Sequence, residues 1–264
     1  MAGLSIIVIT LNEESNIGPC LESVRWADDI IVLDSGSTDR TKEIAKKFTR
    51  RVFSVKWEGY GGTRNLGLER AKREWVLWLD ADERVTPELG REIQEIVGGK
   101  GTAASGYAMA RRAYFLGKWI RHCGWYPGRV TRLFKKSGAR FTSTRVHEGV
   151  TLPGIVLPMH NDIVHLTDPD LDHYFRKFNR YTMLAAWEMH EAGRKASLFD
   201  LFIRPPFAFI KMYFLRLGFL DGLHGLVLCV LSSAYVFVKY AKLWDLSRRG
   251  PAGERPSDPT GAQR

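Results

Sequence analysis

Three carboxylates, Asp80, Asp82 and Glu83, close the run EWVLWLDADE, in which Val76, Leu77, Trp78 and Leu79 read as a strand entering a core. A buried strand that ends in a cluster of acids needs a cation to balance them. A lone Asp-x-Asp also fits a solvated turn capping the next helix, and Thr86-Pro87 follows closely. Position favours chemistry: the pair ends an apolar strand at the edge that also holds Asp34, and no Cys or His spacing suggests zinc. Carboxylates with a spare face suit Mg2+ or Mn2+, which bind few protein oxygens and fill the rest with water and phosphate. The expectation for these acids is a metal–phosphate site.

The elements that would position them alternate through the first hundred residues. LSIIVIT, DIIVLDSGS, RRVFSV and WVLWLDADE read as strands. EESNIGPCLESVRWA, TDRTKEIAKKF, TRNLGLERAKRE and TPELGREIQEIVGG read as helices, the last with an N-terminal Thr-Pro-Glu and a terminal Gly pair. That alternation predicts a parallel α/β sheet with its ligand edge at the strand carboxyl ends, where Asn12, Asp34 and Asp80 all fall. From Gly106 to Thr167 the pattern changes to strands and turns. A helix is expected from about Asp170, and apolar and aromatic residues dominate from Phe199 to Trp244. The predicted division is an α/β domain over 1–168, with the change of pattern separating 1–100 from 101–168, a helical region over 169–246 and a disordered Pro/Gly-rich tail over 247–264.

The quoted segments SIIVITLNEESNI, IIVLDSGSTDRT, GGTRNLGLERAKREWVLWLDADE and TRVHE together resemble family 2 glycosyltransferases of the GT-A fold, over roughly residues 3–245. The likeness is to the bacterial subgroup that builds lipopolysaccharide inner core, whose best known type is a UDP-glucose:heptose β-1,4-glucosyltransferase. It implies a nucleotide-binding half over 1–100, an acceptor-binding half over 101–168, and inverting, metal-dependent transfer of a hexose, glucose from UDP-glucose, to a lipid-linked saccharide such as an inner-core heptose. The resemblance implies a Rossmann-like nucleotide-sugar-binding sheet and roles for single residues. Thr10, Leu11, Asn12 and Glu13 would line the nucleotide pocket, Asp34 would accept a hydrogen bond from uracil, and Arg64 would face the nucleotide. Asp80 would contact the ribose beside Ala81, and Asp82 would ligate the metal. Glu148 matches the base that takes the proton of the attacking acceptor hydroxyl; a salt bridge to Arg145 or Arg132 is its structural alternative. His147 could orient Glu148, contact acceptor or merely pack. His165, after an apolar-rich strand, is the candidate further metal or diphosphate ligand, or a structural histidine. Arg132 and Lys177 are alternative cations for the leaving diphosphate.

Between Arg111 and His147 there are ten Lys or Arg residues and no acid, interleaved with aromatics that include Trp125. Nucleic-acid surfaces use the same residue types, but so does a cleft for a phosphorylated saccharide, and about half of these side chains would suit a solvated strand face. No Q-x-x-R-W follows the base position, which disfavours a processive synthase, and no G-x-G-x-x-G or P-loop is present.

The chain has 264 residues, 45% hydrophobic and 26% charged, with 39 basic and 29 acidic side chains for a formal charge of +10. That composition excludes global disorder and favours anionic partners. Three scattered cysteines and the lack of a signal-like start favour a reducing cytosol. GLHGLVLCVLSSAYVFV (222–238) falls short of a spanning helix. With the flanking cations it suggests a helix pair lying on an anionic leaflet, hence a peripheral site on the cytoplasmic face of the inner membrane. The expected partners are a UDP-sugar, a lipid-anchored saccharide and that membrane surface, with no nucleic acid. A nucleotidyltransferase and a non-catalytic membrane-associated interaction protein are the alternatives on the same fold.

Overall fold

The computed structural model describes residues 3–100, 104–142 and 149–249. They pack as two compact units. One holds the chain up to Arg112 together with Gly128–His165; the other holds Ala113–Pro127 and the chain from Leu166 onward. The segment 113–127 therefore belongs with the C-terminal helices, whereas the sequence places it in the catalytic domain.

In the first unit, β1 (Leu4–Thr10), β2 (Asp29–Asp34), β3 (Val52–Ser54) and β4 (Trp75–Asp80) alternate with α1 (Ile17–Ser23), α2 (Thr41–Ala45) and α3 (Gly59–Arg70). The four strands are parallel in the order β3-β2-β1-β4. β1, β2 and β4 are buried almost throughout, which is why they read as continuous apolar runs instead of alternating ones. Register brings Thr10 opposite Asp34 and Ile9 opposite Asp80, so the polar strand ends share one edge. α2 is shorter than its sequence suggests. After Ala45 the amides of Lys47 and Phe48 bond three residues back, to Ile44 and Ala45, and this tighter turn returns the chain to β3.

Past β5 (Glu83–Val85), α4 (Pro87–Glu95) begins as predicted, with Thr86 Oγ1 accepting from Leu89 N at 3.2 Å. β6 (Gly106–Phe115), β7 (Lys118–Trp119), β8 (Arg129–Lys135), β9 (Arg140–Phe141), β10 (Val150–Thr151), β11 (Val156–Pro158) and β12 (Ile163–Asp168) follow with no helix among the described residues, as the change in pattern at Gly106 implied. β8 joins the sheet antiparallel to β4, and β6 is antiparallel to β8. β12 runs antiparallel to β5 and sets His165 opposite Glu83.

The second unit is helical: α5 (Leu171–Glu191), α6 (Leu198–Phe202), α7 (Arg204–Ile210) and α8 (Gly222–Arg249). Asp170 caps α5, its Oδ1 accepting from His173 N at 2.7 Å. α5 and α8 pack along each other, burying Ala186, Tyr240, Leu243 and Leu246. α8 does not stop at Val238. It continues through Lys239 to Arg249 and, among the described residues, is a helix long and apolar enough to cross a membrane by length and composition, which corrects the shorter segment read from sequence.

Candidate active site

The loops that follow β1 and β2 are stitched together. Asn12 takes a left-handed backbone, φ 54°, a conformation asparagine tolerates better than most residues. Its amide donates to Ser37 Oγ at 2.8 Å, and its side-chain oxygen accepts from Thr38 N at 2.8 Å. Glu13 N donates to Thr41 Oγ1 at 2.7 Å, and the Glu13 carboxylate accepts from Asn16 Nδ2 at 2.8 Å. Asn12 and Glu13 thus shape the rim of the strand edge, with half-buried Leu11 between them and Thr10.

Inside that rim buried polar atoms are left over, among them one oxygen of Asp34 and the hydroxyls of Thr10 and Ser35. Asp34 is fully buried, and its Oδ1 accepts from Gly36 N at 3.1 Å and Ser37 N at 3.0 Å. Its Oδ2, and Thr10 Oγ1 at the facing strand end, are buried with no hydrogen-bond partner among the described residues. A buried acceptor left unpaired costs about 1–3 kcal/mol, a cost that a ligand donor would relieve.

The Asp80 carboxylate lies between two guanidinium groups. Arg64 Nη2 donates to Oδ1 at 3.1 Å and Arg132 Nη2 to Oδ2 at 3.0 Å. Both guanidiniums lie over the Trp78 ring, at 3.8 Å and 3.5 Å from its centroid. Arg132 also holds Glu83, whose other oxygen accepts from Asp80 N at 3.0 Å. Burial works to raise the Asp80 pKa, but Arg132 and then Arg64 outweigh it and keep this carboxyl ionised well below the usual range. Burial pushes Glu83 the other way, against the pull of Arg132. Arg132 is only 2% exposed. It sits beneath the acids as their counter-ion, not on an open surface as a diphosphate contact would.

Asp82 is differently placed. Ala81 is buried, its carbonyl accepting from Arg84 Nη1 at 2.8 Å, and Asp82 Oδ2 lies 3.2 Å from His165 Nε2. Burial lowers the His165 pKa, but its hydrogen bond to Asp82 and the charges of Asp82 and Glu83 carry it above the ordinary histidine value. Thus the β5–β12 ladder brings together the two residues the sequence singled out for metal. Among the described residues no group of three or more His, Cys, Asp or Glu side chains is arranged to hold an ion. The Asp82 carboxylate would suit a hard cation such as Mg2+ or Mn2+, with the His165 imidazole beside it as a candidate further ligand.

His147 and Glu148 lie outside the described residues. The flanks of their segment are defined: Thr142 N donates to Gly149 O at 3.0 Å, and β9 pairs with β10 through Phe141 and Val150. Trp125 and Lys177 belong to the second unit. Trp125 packs edge-on to Phe115 at 6.2 Å. Lys177 donates to Thr167 O at 3.0 Å and stands 3.3 Å from Asp168, which ties it to the start of α5.

Two residues at the site, Arg111 and Asn65, carry no role of their own in the sequence, and Glu83 carries none beyond its place in the acid cluster. Arg111, half-buried, lies within electrostatic reach of Glu83, Asp80 and Asp82 but was one cation in a run of ten. Asn65, next to Arg64, carried no signal; its side chain bonds the backbone of Phe141.

The family model described as glycosyl transferase family 2 matches residues 5–150. The lipopolysaccharide core biosynthesis glycosyltransferase LpsC of Rhizobium meliloti is 29% identical over 248 residues, covering 91% of this chain and 92% of that protein. An uncharacterized glycosyltransferase of Rickettsia typhi is 30% identical over 264 residues, covering 94% and 88%. Among solved structures, S. aureus TarS in complex with UDP-GlcNAc is similar at 14% identity and a TM-score of 0.47, covering 94% of this chain and 92% of that one. Glucosyl-3-phosphoglycerate synthase from Mycobacterium tuberculosis in complex with Mn2+, UDP and glucosyl-3-phosphoglycerate gives 18% identity and a TM-score of 0.47, covering 74% and 82%.

Proposed function

The chain belongs to glycosyl transferase family 2, and we propose that it is an inverting, metal-dependent transferase that moves a hexose, glucose from UDP-glucose, to a lipid-linked saccharide such as an inner-core heptose. The observation that carries the donor half is the pair of unpaired buried atoms, Asp34 Oδ2 and Thr10 Oγ1, at the strand edge that also presents Asp80 and Asp82. The acceptor half rests on the likeness to a lipopolysaccharide core glycosyltransferase and on the basic composition of residues 111–147.

Asp34 accepts the uracil imide N–H, and the loop over Leu11, Asn12 and Glu13 closes the rim around the nucleotide. Asp80, fixed by Arg64 and Arg132, meets the ribose with an orientation it cannot lose cheaply. Asp82 and His165 would hold Mg2+ or Mn2+, which supplies charge neutralisation for the leaving diphosphate. Arg111 adds a second positive charge on that side of the acids. Glu148 takes the proton of the acceptor hydroxyl as its oxygen attacks the anomeric carbon, the bond to UDP breaks, and configuration inverts. General-base help of this kind is worth about 10²–10⁴ in rate. The protein works at the cytoplasmic face of the inner membrane, where a lipid-anchored acceptor is presented.

Calorimetric titration of UDP-glucose with and without Mn2+, for the wild type and for Asp82→Ala, tests the donor site. The expected result is metal-dependent binding that the variant loses. Binding of UDP without UDP-glucose would remove the glucose assignment and leave the class. Binding of neither, to folded protein with metal present, would overturn the donor reading of these acids.

A further inference from the structure

Most of the exposed large apolar side chains of the described residues fall between Leu198 and Trp244. They sit on elements of the second unit that already pack on one another: α6, α7, the turns Lys211–Leu215 and Gly218–Asp221, and α8. What remains uncovered is therefore left over after folding of that unit. Phe199, Phe202, Phe207, Phe214, Leu215 and Leu223 are each between 54% and 71% exposed. Apolar area on this scale marks a surface that is covered in use.

Charge decides what covers it. Lys211 and Arg216 are exposed within the apolar stretch. The acids of the same stretch are turned inward: Asp200 accepts from Ser197 Oγ at 2.8 Å and from Arg204, while Asp221 accepts from His122 N at 2.8 Å and its carbonyl from Lys118 Nζ, also at 2.8 Å. Among the described residues no acid is exposed between 201 and 244. An apolar surface that presents cations and hides its acids fits anionic lipid headgroups over acyl chains.

We infer that residues 198–223 form a monotopic anchor that buries its aromatic and leucine side chains in one leaflet of an anionic bilayer, with α8 lying along the surface and not crossing. This rests on the reading of the chain as a transferase for a membrane-presented acceptor, and names the element that docks it. α8 has the length and composition to cross, but it is bound along α5. Lys242 Nζ donates to Asn179 O and Oδ1 at 2.7 Å each and to Thr182 Oγ1 at 2.8 Å. Crossing would draw α5, with its exposed Arg176–Asp172 pair, into hydrocarbon, where charged side chains are strongly disfavoured. Lying flat leaves both helices' polar faces in water.

The test is flotation of the full chain with phosphatidylethanolamine vesicles that contain phosphatidylglycerol, beside vesicles of phosphatidylcholine alone. UDP binding is read by calorimetry on the same preparations. The three native cysteines are buried, so Phe202→Cys and Ser247→Cys can each carry a fluorescent label. The expected result is co-flotation with the anionic vesicles and weaker partition with the neutral ones. Partition should fall at least tenfold in the Phe202→Ser/Phe207→Ser variant while UDP binding is unchanged. The label at 202 should be quenched by acyl-brominated lipid, and the label at 247 by iodide added outside the vesicles. Serine variants that float like the wild type, or a label at 247 shielded from iodide, would overturn monotopic insertion. Intact UDP binding without flotation would sink the anchor and leave the transferase standing. Flotation without UDP binding would do the reverse.

Discussion

Asn65 and Phe141 exchange two hydrogen bonds: Asn65 Nδ2 donates to Phe141 O at 3.0 Å, and Phe141 N donates to Asn65 Oδ1 at 2.9 Å. Asn65 follows Arg64 on α3, so one helix turn holds both the Asp80 carboxylate and the strand that leads towards Glu148. Phe141 is further fixed by edge contacts to Trp78 and Phe134, at 5.5 Å and 5.7 Å. If Glu148 is the base as proposed, Asn65→Ala is expected to lower kcat by about tenfold or more by freeing Phe141, upstream of it in the chain, while UDP affinity stays within about twofold. A loss of UDP binding in parallel with kcat would show that the contact supports the whole sheet edge instead.

Arg132 answers two acids at once, and that makes its removal asymmetric. Arg132→Met leaves Glu83 and Asp80 without their shared counter-ion in a buried setting, a change that costs about 3–5 kcal/mol. Removing Glu83 as well, in Arg132→Met/Glu83→Leu, should return much of that loss, because the uncompensated buried carboxylate is gone. Denaturant unfolding of the two singles and the double measures the coupling. Additive losses would mean that Arg132 and Glu83 do not share the energetics that their contact implies.

Gly67 allows α3 to approach the sheet. A Cβ there would stand 2.5 Å from Ile7 Cγ2 and 3.1 Å from Leu33 Cδ1, so any side chain pushes the helix off β1 and β2. Gly67→Ala is expected to destabilise by about 1–3 kcal/mol, despite alanine's better helix propensity. Because Arg64 lies one turn earlier, the same change should weaken UDP binding. A variant as stable as the wild type would show that the sheet yields at this point.

Much of the catalytic half was legible because its determinants are local. β1, β2 and β4 are apolar runs that stop at Thr10, Asp34 and Asp80, and parallel pairing must then set those ends on one edge. The pairing of Asp82 with His165 could be guessed only as a list of ligand types. It is made by an antiparallel ladder between segments some eighty residues apart, and no local pattern encodes that register. From sequence Arg132, one of ten cations in a basic stretch, is with Lys177 an alternative cation for the leaving diphosphate. Its burial is decided by Trp78, Asp80 and Glu83, which come from another strand. Segment 113–127 falls within the strand-and-turn pattern that runs from Gly106 to Thr167, whereas its contacts are made with the helices, through Phe115, Ile120 and Cys123.

The opposite end of the same strands carries a test of acid stability. Asp29, 8% exposed at the start of β2, accepts from Ser5 Oγ at 2.7 Å, from Lys72 N at 3.3 Å and from Arg51. Burial alone would raise its pKa, but the Arg51, Ser5 and Lys72 hydrogen bonds outweigh it, and the folded-state value lies below the usual aspartate range. A depressed folded value means that the unfolded chain takes up the proton first as pH falls. The stabilisation is therefore complete above the unfolded pKa of about 3.9 and drains away as pH drops through the folded value. Asp29→Asn keeps the shape and removes the charge, so it should cost about 1–3 kcal/mol near neutral pH. The gap between wild type and variant should then narrow below about pH 4, as the wild type protonates. Urea unfolding midpoints measured from neutral pH down to about pH 3 read this directly. A gap that stays constant across the range would show that Asp29 contributes through packing and not through its charge.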